Sequence, residues 1–116
     1  MLLQLSLRKK IAGEKVAQSL FVFVLFAMYL HLAVVLPMDQ APDEAMRYDL
    51  AKWIYTHMAL PVGNEEEIVS PVWGFSYAYN PYLPSMLAAL LMRVASLFDT
   101  SELTILVAAR MVSVLA

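Results

Sequence analysis

Between residues 41 and 48 the sequence reads Ala41-Pro42-Asp43-Glu44-Ala45-Met46-Arg47-Tyr48, two adjacent carboxylates followed by a base and a phenol. Ionised carboxylates accept protons and hydrogen bonds, and a guanidinium matches the geometry of a carboxylate or a phosphate. On a helix Asp43 and Arg47 would face each other at i, i+4. Pro42 suits a first helical position, so Asp43 and Glu44 would fall in the first turn, where free N–H groups and the positive dipole end favour anions and keep Asp43 ionised. The same four residues are equally an ordinary helix start, worth only ~0.3–1 kcal/mol. Asp39 is a rival acid, but it lacks the Glu and Arg-Tyr neighbours.

The elements that would position this stretch are apolar. Of 116 residues 61% are hydrophobic and 16% charged, with a mean hydropathy of +0.65, against roughly 45–50% and about 25% in soluble domains. The expected fold class is therefore an all-α membrane protein. A net charge of −2 gives no reason to expect a nucleic-acid partner, and without cysteine there is neither disulfide nor thiol chemistry.

Residues 1–15 carry Arg8, Lys9, Lys10 and Lys15 against Glu14. From Val16 to Leu36 no charge interrupts the chain, and this run is close to the ~20 residues a helix needs to cross ~30 Å of hydrocarbon. It is longer than the ~7–15 residues of a typical leader core and ends in Val34-Val35-Leu36-Pro37, so it reads as an uncleaved first span, 16–36. The bases before it and the acids after it set the N-terminus in the cytoplasm and the first loop outside. His31 near the outer end reads as an interfacial or helix-contact residue.

The external loop, 37–80, divides in two. Met46, Leu50, Trp53, Ile54 and His57 recur at helical spacing opposite Asp49, Lys52 and Thr56, which predicts an amphipathic helix at about 42–58, along the membrane surface and stopped near Leu60-Pro61. Glu65-Glu66-Glu67 reads as a solvated acidic turn, because consecutive side chains do not converge on one ion without other ligands; no metal site is predicted. Trp73, Phe75, Tyr77, Tyr79 and Tyr82 follow among glycine and prolines. Such rings form an interfacial belt beside a membrane, or line a groove for a sugar or polyprenyl chain; Trp73, Tyr77, Tyr79 and Tyr82 are the candidate groove lining.

A second transmembrane helix is predicted over 81–98, with Arg93 placed to snorkel inward, then an inner turn at 99–102 in which Asp99 and Glu102 resemble a capping box. Residues 103–116 begin a third span whose fourteen residues rise only ~21 Å, short of the ~30 Å core. The expected architecture is thus two transmembrane helices and a truncated third, the N-terminal part of a larger multi-span protein whose other helices shield Arg93, Arg110, His31 and the acidic loop.

These features together carry a resemblance. An inside N-terminus, one span, Pro42-Asp43-Glu44 with Arg47-Tyr48, an amphipathic helix closing at Leu60-Pro61, and Ser76-Tyr77-Ala78-Tyr79-Asn80-Pro81-Tyr82-Leu83 before span two resemble the start of GT-C membrane glycosyltransferases of the protein O-mannosyltransferase and aminoarabinose-transferase type. In those families an Asp-Glu pair follows span one, and a His-Pro-Pro-Leu-like turn often precedes span two; Asn80-Pro81-Tyr82-Leu83 lacks that His. The resemblance implies a bacterial inner (plasma) membrane enzyme that moves a sugar from a polyprenyl-phosphate donor to a hydroxyl acceptor. It implies Asp43 as general base with Glu44 beside it, Arg47 and Tyr48 as donor-phosphate or orienting groups, and leaves room for a divalent metal as cofactor. Membrane lipid and the lipid-linked sugar are the implied partners, and the isolated fragment is expected to be inactive. The competing readings are a non-catalytic small membrane protein or subunit that binds a partner through its aromatic loop, and a transporter or ligase of lipid-linked glycans.

Overall fold

A computed structural model describes residues 2–40 and 43–116, with side chains from residue 12 onward. Among these residues the fold is all-helical: α1 (Leu2–Val35), α2 (Glu44–His57), α3 (Tyr82–Ala95) and α4 (Glu102–Leu115), with short 3-10 turns at Glu66–Ile68 and Tyr77–Tyr79. The molecule measures 70 × 28 × 25 Å, and α1, ~51 Å long at ~1.5 Å per residue, accounts for most of the long dimension.

Among the described residues one helix is long and apolar enough to cross a membrane, Ala12–Val35 within α1, with a mean hydropathy of 2.1. The basic N-terminal residues join it without a break, because nothing from Leu2 onward interrupts a helix until Pro37 pushes its predecessor out of the α region. Ala33 is the one residue of the apolar stretch that becomes buried.

The second expected span is shorter than predicted. α3 has 14 residues, ~21 Å, against the ~30 Å of a hydrocarbon core. Pro81 precedes it, and Pro84 fits in its first turn, where backbone N–H groups have no intrahelical acceptor. Beyond Ala95 the chain leaves the helix through a turn closed by Phe98 N–H to Ala95 carbonyl at 2.9 Å.

The predicted amphipathic helix is present as α2, but its apolar face meets protein. Leu50 and Ile54 join Ile68, Tyr77, Ala78 and Ala89 in one cluster, while Ala51 joins Ala88, Met92, Ile105 and Ala108 in another. The alanines let the axes of α2, α3 and α4 approach closely, and fully buried Met92 fills the space between them, a burial worth ~1.5–3 kcal/mol. His57, expected on this face, is exposed; its ring stacks on Trp53 at 4.3 Å. At the other end Met58, in the left-handed region at φ 52°, donates its N–H to Ile54 and stops the helix.

This arrangement brings α2 and the 99–102 turn side by side, although the sequence pattern sets them on opposite membrane faces. Lys52 of α2 lies 3.7 Å from Glu102, and Val34 to Met38 share a small depression with Glu102, Leu103 and Leu106. The cap of α4 also differs from the predicted pairing of Asp99 with Glu102. Ser101 is the N-cap, its Oγ accepting from Thr104 N–H, while Asp99 accepts from the Ser101 N–H, the Ser101 hydroxyl and the Thr104 hydroxyl. Serine in extended conformation suits that position better than an acid two residues upstream.

Candidate functional site: a charged corner over an apolar groove

The helix α1 ends in carbonyls with no intrahelical donor. Arg110, from the middle of α4, supplies donors: Nη1 bonds the carbonyls of Ala33 and Leu36 at 2.8 and 2.7 Å, and Nη2 that of Pro37 at 3.0 Å. Its Nε meets Glu44 Oε1 at 2.5 Å, while Glu44 Oε2 accepts from Asp39 N–H at 2.9 Å. Both side chains are nearly buried, 13% and 12% exposed, so this pair ties the end of α1, the start of α2 and the body of α4 together. Arg110 therefore finds its partners within this chain, where the sequence pattern left it to be shielded by further helices.

Two aspartates make the corner's bends. Asp39 and Asp43 both sit in the left-handed region, at φ 67° and 60°, a conformation Asp tolerates better than most residues. Asp43 precedes α2 as its N-cap residue, yet its side chain makes no capping bond and is exposed; its carbonyl accepts the N–H of Arg47 at 3.1 Å. The expected Asp43–Arg47 side-chain pair is absent among the described residues, because the left-handed turn takes Asp43 off the helical path that would align it with Arg47. The expected first-turn role of Pro42 lies outside the described residues.

Below the corner opens a groove of about 590 Å³. Its floor is apolar, from Leu32, Leu36, Pro84, Ala88 and Leu106, and Glu44, Arg47, Tyr48 and Asn80 stand among its polar lining residues. Arg47 is exposed and has no ion-pair partner among the described residues. Tyr48 is half-buried; burial is the main reason its phenol is pushed above the ordinary range, and Lys52 lies over its ring at 5.5 Å. Nearby Asp49 is likewise raised by burial, with Lys52 opposing and Asp39 adding to the shift.

The aromatic residues divide differently from the expectation. None of Trp73, Tyr77, Tyr79 and Tyr82 lines this groove. Tyr77 is buried in the core, Tyr82 donates its hydroxyl to the Pro61 carbonyl at 3.0 Å, and Tyr79 lies exposed against Gly63. Trp73 projects from a tight loop. Tyr29, Leu32 and Ser85 line the groove instead. The one signal for Arg110 was its charge in an otherwise apolar helix.

Within the acidic run, Glu65 is the residue that shapes the backbone. Its carboxylate accepts from Val62 N–H at 2.6 Å and Gly63 N–H at 2.8 Å, bonds that hold it below the usual carboxylate range. Glu66 and Glu67 are exposed, and among the described residues no three His, Asp or Glu converge on a possible ion. His31 is exposed on α1, and Arg93 lies 5.7 Å over the Tyr55 ring. No protein-family model, curated protein or solved structure matches this chain.

Proposed function

We propose that the chain is the donor-side part of a membrane glycosyltransferase that uses a polyprenyl-phosphate-linked sugar. The observation that carries this reading is Arg47: a guanidinium with no ion-pair partner among the described residues, lining an apolar groove that runs against the last turns of α1. An amphiphile with an apolar chain and an anionic head matches that pairing of wall and charge. On this reading α1 is a transmembrane anchor in a bacterial inner membrane, its basic start is cytoplasmic and the groove opens on the external side.

Transfer with inversion needs few groups. The acceptor hydroxyl oxygen attacks the anomeric carbon, the bond from that carbon to the lipid phosphate oxygen breaks, and its electron pair leaves with the phosphate. The hydroxyl proton passes to a carboxylate, for which Asp43 is the candidate because it is exposed and free of side-chain partners in the cap. Glu44 is engaged by Arg110 and Asp39, so its part is to fix the corner. Arg47 meets the phosphate, and Tyr48 orients the head group.

The test is made in the full-length protein in membranes. Asp43→Asn should abolish sugar transfer while polyprenyl-phosphate binding persists, and Arg47→Ala should weaken that binding. If transfer survives Asp43→Asn with normal accumulation, the base lies elsewhere. Unchanged lipid-phosphate binding in Arg47→Ala would favour a non-catalytic membrane subunit.

A further inference from the structure

The loop from Ser70 to Phe75 is a small finger with a rigid base. An isolated antiparallel bridge joins Val69 to Ser76, and Ser70 N–H bonds the Phe75 carbonyl at 2.9 Å. Inside the loop Ser70 Oγ accepts from Trp73 N–H at 3.1 Å, and its carbonyl accepts from Gly74 N–H at 2.9 Å. Gly74 turns the chain at φ 68°, where a side chain would be strained. Ser70 and Ser76 are buried at the base, whereas Val72 and Trp73 at the tip are 76% and 78% exposed. A loop with a satisfied backbone and a bare apolar tip has been built to hold that tip outward.

We infer that this finger inserts its Val72-Trp73 tip into the lipid interface of the membrane in which α1 is anchored. The inference rests on the reading of α1 as a span. Three observations favour lipid over another occupant. Asn80, Pro81 and Pro84, a few residues beyond the finger, line the same groove as Tyr29, Leu32 and Leu36, so the segment begins beside the outer turns of α1. No charged residue occurs from Ile68 to Met92, so the finger itself carries nothing that resists the headgroup boundary, and the exposed Glu66 and Glu67 precede its base. Tryptophan, with an apolar ring and one N–H donor, is the side chain that prefers that boundary. Tyr79, exposed against Gly63, adds a second ring of the same type. Insertion driven by apolar area is independent of lipid charge, in contrast to a basic surface.

The chain holds two tryptophans, so Trp53→Phe leaves Trp73 as the sole emitter. The full chain carrying that change is reconstituted into phosphatidylcholine vesicles, some containing a quencher near the headgroup and others one near the acyl-chain end. Trp73 emission should shift to shorter wavelength, lose most of its intensity to the shallow quencher, lose less to the deep one and resist aqueous iodide. Adding anionic lipid should change none of this. Quenching by iodide with none from lipid would overturn the proposal. So would protection from both, which would mean that protein covers the tip. The chain has no cysteine, so a fluorophore on Val24→Cys reports the α1 depth separately. Deep quenching there with a wet Trp73 sinks the finger alone, whereas a wet Val24 sinks the membrane reading and the finger with it. Val72→Cys labelled in the same way should follow Trp73, and a Val72 label in water would also count against insertion.

Discussion

Glu44 and Asp99 are both well-bonded carboxylates, and they differ in how far their bonds reach. Asp99 accepts from near neighbours, Ser101 and Thr104 foremost, within one exposed turn, and these bonds lower its carboxyl to about 2. Glu44 is nearly buried and its partner Arg110 lies 66 residues away. Local bonds tidy a helix end that water could also satisfy; remote ones decide which helices meet. The penalty for a missing partner should scale accordingly, because only the buried carboxylate would be left without solvent.

The largest effect is therefore expected from Arg110→Ala, which removes the cation beside nearly buried Glu44 and the donors to three carbonyls. It should cost about 3–5 kcal/mol, read as a fall in thermal midpoint in detergent. The double variant Arg110→Met with Glu44→Leu should recover much of that loss, since an apolar pair of similar volume needs no desolvated charge. If the double variant is as unstable as the single one, the pair serves to satisfy the α1 carbonyls more than to balance Glu44.

Asp43→Val should come next, at about 1–3 kcal/mol, because a β-branched side chain is strained at φ 60°. Asp43→Gly should be neutral or stabilising by the same measurement, which separates the backbone demand at this position from any chemical one.

The smallest effect belongs to Asp99. Its carboxyl is lower in the folded chain than the ordinary 3.8, so its contribution is complete above about pH 4 and is lost as pH falls toward 2. Amide exchange in the first turn of α4 should accelerate over that window in the parent protein. In Asp99→Asn this step should vanish; a step of unchanged size would assign it to another carboxylate.

The local features were the ones a sequence could reveal. The uncharged run of α1 and the helical spacing of Leu50 and Ile54 depend on neighbours within a few residues, and both are present in the fold. The remote ones were not legible. Ala51, Ala88 and Ala108 look unremarkable in the sequence, yet their small size lets α2 lie against α3 and α4 in place of a membrane surface. Asp43 and Arg47 have the spacing of a helical pair, but spacing does not encode the left-handed turn that separates them. The choice of Arg110 by Glu44 is made by folding alone.

The clamp at Arg110 also sets the field in the groove. The end of α1 would otherwise present about half a negative charge beside Leu32 and Leu36, repelling any anion that approached. The guanidinium over the carbonyls of Ala33, Leu36 and Pro37 offsets one unit of the combined charge of that helix end and Glu44, so about half a negative charge remains there. What an arriving anion senses is then Arg47 on the groove set against that residual charge and Asp43 at the exposed bend. Binding strength at this corner should therefore follow those two side chains, against a constant weak repulsion from the helix end.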